Sequence, residues 1–335
     1  MSGVGRRGLL RWAAGAAVAA TAGCAPSRTA PIGAGGEGAE ERTAPYVPFD
    51  VTWLIRPRGD HKYLGVSFAG KPVTPGYLAL WSRRTGKAPT LLAQSFTWDE
   101  EFPRDRVAAV WEQRVLPYLS WEPFGTTLRE IAAGARDGYV RHVAEALRDL
   151  NVPVALAFAP GMNDGGRPWG AGRASPEEFV GAWRHVHDLF QDMGVSNVVW
   201  VWSPTVAVKP SVRLKPYYPG DAYADWLGVA GRYTERGPHT YDSLFGPAVE
   251  EARAFTRIPV LVAGTAAPPG DRRPADVADL VRAVTTRGDV VGFVWFDAND
   301  APDGIDWRID SGPGALAAFR RGVADPRFGF DVRRP

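Results

Sequence analysis

Short runs of apolar and β-branched residues recur at 63–68, 90–96, 115–120, 153–159, 197–202, 226–230, 258–263 and 291–296, each long enough for a strand and too short for a helix. Between them the apolar positions move to helical spacing, as at 139–150 and 176–193. Ser175 opens the second of these, with Glu177 and Glu178 in its first turn. Such residues satisfy the free amides of a helix start and complement its partial positive charge. Eight strand-helix units over about 250 residues predict a closed parallel (β/α)8 TIM barrel. An open doubly wound sheet usually carries a Gly-rich phosphate loop after an early strand, and none is visible here.

The N-terminus departs from this alternation. Arg6-Arg7-Gly8-Leu9-Leu10-Arg11 precedes a small, apolar run at 12–23, and no acid occurs before Glu37. A basic start followed by an apolar stretch too short to span a bilayer predicts a signal peptide over 1–24. The paired arginines and the leucines after them favour the twin-arginine type over a general secretory signal. Cys24, the single cysteine, ends that run after Thr21-Ala22-Gly23, where bacterial lipoproteins carry their lipidated cysteine. Residues 25–48 are rich in Ala, Gly, Pro, Thr and Glu and predict a flexible tether, leaving 49–335 for the barrel. The expectation is an exported protein, held by lipid to the outer face of the cell membrane or secreted.

Composition removes some functions. Lys plus Arg exceed Asp plus Glu by only two and are scattered, so no footprint for nucleic acid exists. With one cysteine there is no disulfide framework. His185 and His187 are two apart in a helix and point to different faces, so neither a metal nor another cofactor is expected. The 13 Trp, 10 Tyr and 15 Phe exceed what core packing usually needs and fit sugar-stacking surfaces as well as buried anchors.

A TIM barrel builds its site at the C-terminal strand ends. In this chain those ends carry Trp98 and Asp99, Trp121 and Glu122, Asn163 and Asp164 with Trp169, Trp202, Tyr233, Gly264 and Thr265, then Trp295 and Asp297. The recurring aromatics predict a ring-lined mouth, and Glu122 is the foremost candidate for a functional carboxylate. Asp164 and Asp297 lie among loop-forming residues and read first as caps or solvated charges.

These residues fall in blocks that resemble a known family. The segments VPVALAFAPGMNDGGRPWG (152–170), AWRHVHDLFQDMGVSNVVWVWSP (182–204), YPGDAYADWLGVAG (218–231), IPVLVAGT (258–265) and FVWFDANDAPDGIDWRIDSGPGALAAFR (293–320) resemble successive blocks of glycoside hydrolase family 26. The resemblance implies a retaining endo-β-mannanase or related β-glucanase. Such an enzyme needs two carboxyl groups about 5.5 Å apart, one as acid/base and one as nucleophile. The family's acid/base Glu follows a His after strand four, where this chain has Pro160-Gly161-Met162-Asn163. Its nucleophile Glu closes strand seven, where this chain has Ala263-Gly264. Both carboxylates are replaced by glycine. The tyrosine the family keeps near its nucleophile maps to Tyr233, with Arg232 as the competing occupant.

The leading expectation is therefore a barrel that binds a β-linked polysaccharide of mannan or glucan type through Trp98, Trp121, Glu122, Asn163, Trp169, Trp202, Tyr233 and Trp295, without retaining hydrolysis. A working endo-β-mannanase or β-glucanase using Glu122 with Asp99 or Asp164 is the first alternative. An envelope scaffold that contacts another protein is the second.

Overall fold

A computed structural model describes residues 47–68, 73–206, 212–299 and 303–334. The expected signal peptide, Cys24 and nearly all of the tether lie outside the described residues. Residues 48–335 form one compact unit.

The chain enters through α1 (Thr52–Ile55) and then alternates. β1 (Tyr63–Ser67) leads to α2 (Pro75–Thr85), β2 (Leu91–Thr97) to α3 (Arg104–Glu112), and β3 (Leu116–Glu122) to α4 (Leu128–Ala132) and α5 (Asp137–Leu150). β4 (Val154–Phe158) precedes α6 (Pro176–Asp192), and β5 (Val198–Trp202) is followed, among the described residues, by a 3-10 turn at Lys215–Tyr217. β6 (Trp226–Ala230) leads to α7 (Tyr241–Leu244) and α8 (Gly246–Arg253), β7 (Val260–Thr265) to α9 (Arg273–Thr286), and β8 (Val290–Phe296) to α10 (Pro313–Val323). The strands pair in parallel, in chain order, and β8 closes on β1. The expected (β/α)8 barrel is the observed one. Ser175 caps α6 through the Glu178 amide, while the Glu178 carboxylate reaches back to the Ser175 amide, a full capping box.

Two apolar cores hold the barrel. The inner one comprises axis-facing Tyr63, Leu91, Leu116, Tyr118, Ala155, Ala157, Val199, Val201, Trp226, Leu261, Ala263 and Val294, with Val51 and Leu54 from the entry segment. The small residues of β4 leave room for the large rings of β1, β3 and β6. Gly228 is one position where this crowding requires glycine, since a Cβ there would lie 2.6 Å from Val201 Cγ1. The Tyr63 hydroxyl donates to the Leu54 carbonyl and the Trp226 indole to the Ile55 carbonyl, so α1 plugs the N-terminal end. The outer core fills the layer between strands and helices. Among the described residues no helix is long and apolar enough to cross a membrane.

Candidate functional site

Residues two apart on a strand share a face, so the inner core extends upward to a defined set at the mouth. Ser67 continues β1, Ser95 and Thr97 continue β2, and Ser120 and Glu122 continue β3. These side chains are half-buried, apart from Ser95, which is exposed in the middle of the sheet. Beneath them the buried Tyr118 phenol meets the Ser120 and Ser203 hydroxyls, and burial pushes it up to about 12. The floor is thus small, polar and open on the β1 to β3 side.

The aromatics do not line it. Trp98, Trp121, Trp169, Trp202, Tyr233 and Trp295 are all buried and all belong to the outer core. Trp98 and Trp121 stack on each other at 4.8 Å, and Phe96 stacks on the far side of Trp121. The Trp202 indole donates to the Tyr217 carbonyl, Trp295 to Trp307, and Trp169 to Pro160. The expected ring-lined mouth is corrected to a ring-filled wall: on β3, β5 and β8 the tryptophans occupy the positions that face the helices. Strand parity, readable from the sequence, carries that signal.

The polar candidates divide. Asn163 is buried, and its amide both donates to the Thr205 carbonyl and accepts from the Thr205 amide, tying the loops after β4 and β5 together. Asp164 accepts from the Gly166 amide within its own turn, and Asp99 is exposed with a left-handed backbone. Asp297 is buried, receives the Ile309 amide at 2.7 Å, and is pushed up to about 6 by that burial. Glu122 alone combines a mouth position with partial burial, which raises its carboxyl above the usual range, while Arg167 at 3.5 Å pulls it part of the way back.

The two glycines differ. Gly161 is buried and left-handed, with φ of +71°. A Cβ built on it would lie 3.1 Å from the Thr205 hydroxyl and 3.7 Å from both Cγ and Nε of Arg167. Gly264 lies inside β7 rather than after it, and a Cβ there would meet only Ala230, at 4.0 Å. Next to it, the Gly231 amide donates to the Gly264 carbonyl at 2.9 Å, and the chain continues into Arg232. The Arg232 guanidinium lies over the rings of Phe296 and Trp307 and pairs with Asp303. Tyr233 turns the other way, into the outer core, where burial and the nearby Asp279 and Asp276 raise its hydroxyl well above the usual range. Arg232, not Tyr233, is the mouth-facing residue after β6. Arg167 was not singled out by the sequence at all, because a loop arginine carries no periodic signal. Among the described residues no cluster of three or more His, Cys, Asp or Glu side chains is placed to hold a metal ion.

Comparisons with known proteins bear on this geometry. The model of glycosyl hydrolase family 26 matches residues 133–260, which includes Gly161 and stops before Gly264. Endoglucanase H of Acetivibrio thermocellus is 25% identical over 252 residues, covering 71% of this chain but 28% of that protein. The match therefore spans under a third of that relative's length. A modular endo-β-1,4-mannanase from Cellulomonas fimi superposes with a TM-score of 0.61 at 16% identity, over 83% of this chain and 74% of the other. A β-mannanase from a symbiotic protist of the termite Reticulitermes speratus, solved with a gluco-manno-oligosaccharide, superposes with a TM-score of 0.57 at 14% identity, over 82% and 89% of the two chains. At such identities the structural likeness speaks for the fold, and the sequence matches speak for descent. The profile match from just after α4 to the start of β7, on a barrel of the same fold, makes this stretch of the chain similar to glycosyl hydrolase family 26.

Proposed function

We propose that this protein is an exported, membrane-tethered barrel that binds a β-linked polysaccharide of mannan or glucan type across its C-terminal mouth and does not carry out retaining hydrolysis. The observation that carries this reading is Gly161. At the position matching the family's acid/base residue the backbone is left-handed, and the Thr205 hydroxyl and Arg167 stand beside it. A glycine offers no proton to the leaving oxygen, and Gly264 offers no attacking carboxylate. The barrel and its open polar floor persist without them. The endoglucanase, the mannanase and the oligosaccharide-bound relative support a β-glycan as the partner.

The test pairs binding with turnover. Gel retardation by mannan, glucomannan or mixed-linkage β-glucan, with no reducing ends released, is the expected result. Saturable release of reducing ends by the wild-type protein sinks the non-hydrolytic reading. The raised carboxyl of Glu122, one strand away from Gly161, favours one second reading, in which Glu122 acts as a displaced general acid. A general acid works only while protonated, so that activity is present at low pH, fades as pH rises through the raised value, and is abolished in Glu122→Gln. The tether has its own test: Cys24→Ser is expected to move the protein from the membrane fraction to the soluble one and to abolish fatty-acid labelling.

A further inference from the structure

We infer that the glycan held in this mouth is acidic, a β-linked chain bearing carboxylate groups that Arg167 and Arg232 receive; the inference rests on the polysaccharide-binding reading above. Both positions where the resemblance places the family's carboxylates are glycine; the Arg167 guanidinium stands beside Gly161, and Arg232 lies one residue beyond the backbone partner of Gly264. The Arg167 side chain passes 3.7 Å from where a Cβ on Gly161 would sit. Arg232 follows Gly231, whose amide is bonded to the Gly264 carbonyl. Relative to a mouth with two carboxylates, the change in local charge is from negative towards positive.

Both arginines are held in place yet remain accessible. Arg167 lies 5.6 Å from the centroid of the Trp169 ring, and Arg232 lies 4.4 Å and 4.9 Å from those of Phe296 and Trp307. Stacking on aromatic faces removes rotamer freedom before any ligand arrives, which lowers the ordering cost of binding. Their side chains keep 40% and 41% of their surface exposed.

Their pairing is also incomplete. Among the described residues Arg167 meets Glu122 through Nη1 only, at 3.5 Å, and Arg232 meets Asp303 through Nη1 only, at 3.2 Å. Elsewhere this chain builds two-point arginine-carboxylate pairs. Arg308 holds Asp306 at 3.0 and 2.7 Å, and Arg327 holds Asp325 at 2.9 and 2.7 Å. Among the described residues the two mouth arginines thus keep unused N–H groups of the planar fork that matches a carboxylate. A neutral glycan offers hydroxyls to such a fork, whereas a uronate offers charge and shape together.

The experiment compares matched ligands with the full chain: β-1,4-glucan and β-1,4-mannan oligosaccharides against β-1,4-glucuronate and β-1,4-mannuronate oligosaccharides of equal length, by calorimetry. At least one uronate is expected to bind about ten-fold or more tighter than its neutral counterpart at low salt, with the advantage shrinking as salt is raised. Arg232→Gln and Arg167→Gln should each remove most of that advantage, lowering uronate binding several-fold more than neutral binding. Thermal melts establish that the variants fold, and if Arg232→Gln does not, Arg167→Gln and Arg232→Lys carry the comparison. Equal binding of matched pairs, or a preference unmoved by these variants, overturns the acidic-glycan inference and leaves the polysaccharide reading standing. Binding of none of the oligosaccharides, with no retardation by mannan or glucomannan, overturns both.

Discussion

Gly161 and Gly264 share a residue type and little else. A left-handed backbone costs an L-residue roughly 1–2 kcal/mol, and Gly161 adds the nearby Thr205 hydroxyl to that cost. Gly161→Ala is expected to lower unfolding free energy by about 1–2 kcal/mol in denaturant titration, and Gly264→Ala to change it by less than about 0.5 kcal/mol. Placing a carboxylate side chain is therefore open at Gly264 and strained at Gly161. Asp297 gives a second prediction at this scale. Arg84 sits 3.8 Å away and lies closer to Asp310, at 3.0 Å, so burial outweighs the ion pair and the carboxyl rises to about 6. A raised folded value means the stabilising contribution is complete below the ordinary range near pH 4 and is lost as pH rises through 6. Relative to Asp297→Asn, the wild-type protein is expected to lose up to about 3 kcal/mol of unfolding free energy across that window.

At the scale of elements, strand parity decides what the tryptophans do. Trp202 is fully buried and its indole serves the Tyr217 carbonyl, so Trp202→Ala leaves both a cavity and an unpaired acceptor. The expected cost is about 3–5 kcal/mol, read as a lowered melting temperature, and any loss of glycan binding should track the loss of fold. Had Trp202 been a stacking platform, binding would fall while stability held. The start of α6 provides a smaller check: Ser175→Ala breaks the capping box and should cost about 1 kcal/mol. Strand ends also moved. β3 runs on through Trp121 and Glu122, and β7 begins two residues later than its apolar pattern and takes in Gly264. Pairing with neighbours, not local hydrophobicity, set those limits.

At the scale of the whole molecule, a small net charge and a barrel plugged at its N-terminal end leave the C-terminal mouth as the place where chemistry concentrates. Since residues 48–335 form one compact unit, a chain beginning at residue 47 is expected to melt within about 1–2 °C of the full chain. The sequence by itself determined the eight alternating units, the closed barrel they imply, the capped start of α6 and the absence of carboxylates at positions 161 and 264. These are local matters of periodicity, capping and residue identity, and each stretch of chain carries its own answer. Only the tertiary structure decided that Trp98, Trp169 and Tyr233, which lie beyond the strand ends, turn into the outer core, that Arg232 rather than Tyr233 turns to the mouth, and that Arg167 stands beside Gly161. Those outcomes depend on strand register, on irregular pairing around Ala230, Gly264 and Thr265, and on where a loop comes to rest. A shift of one residue there exchanges the face on which a side chain lies, and no short window of sequence records it.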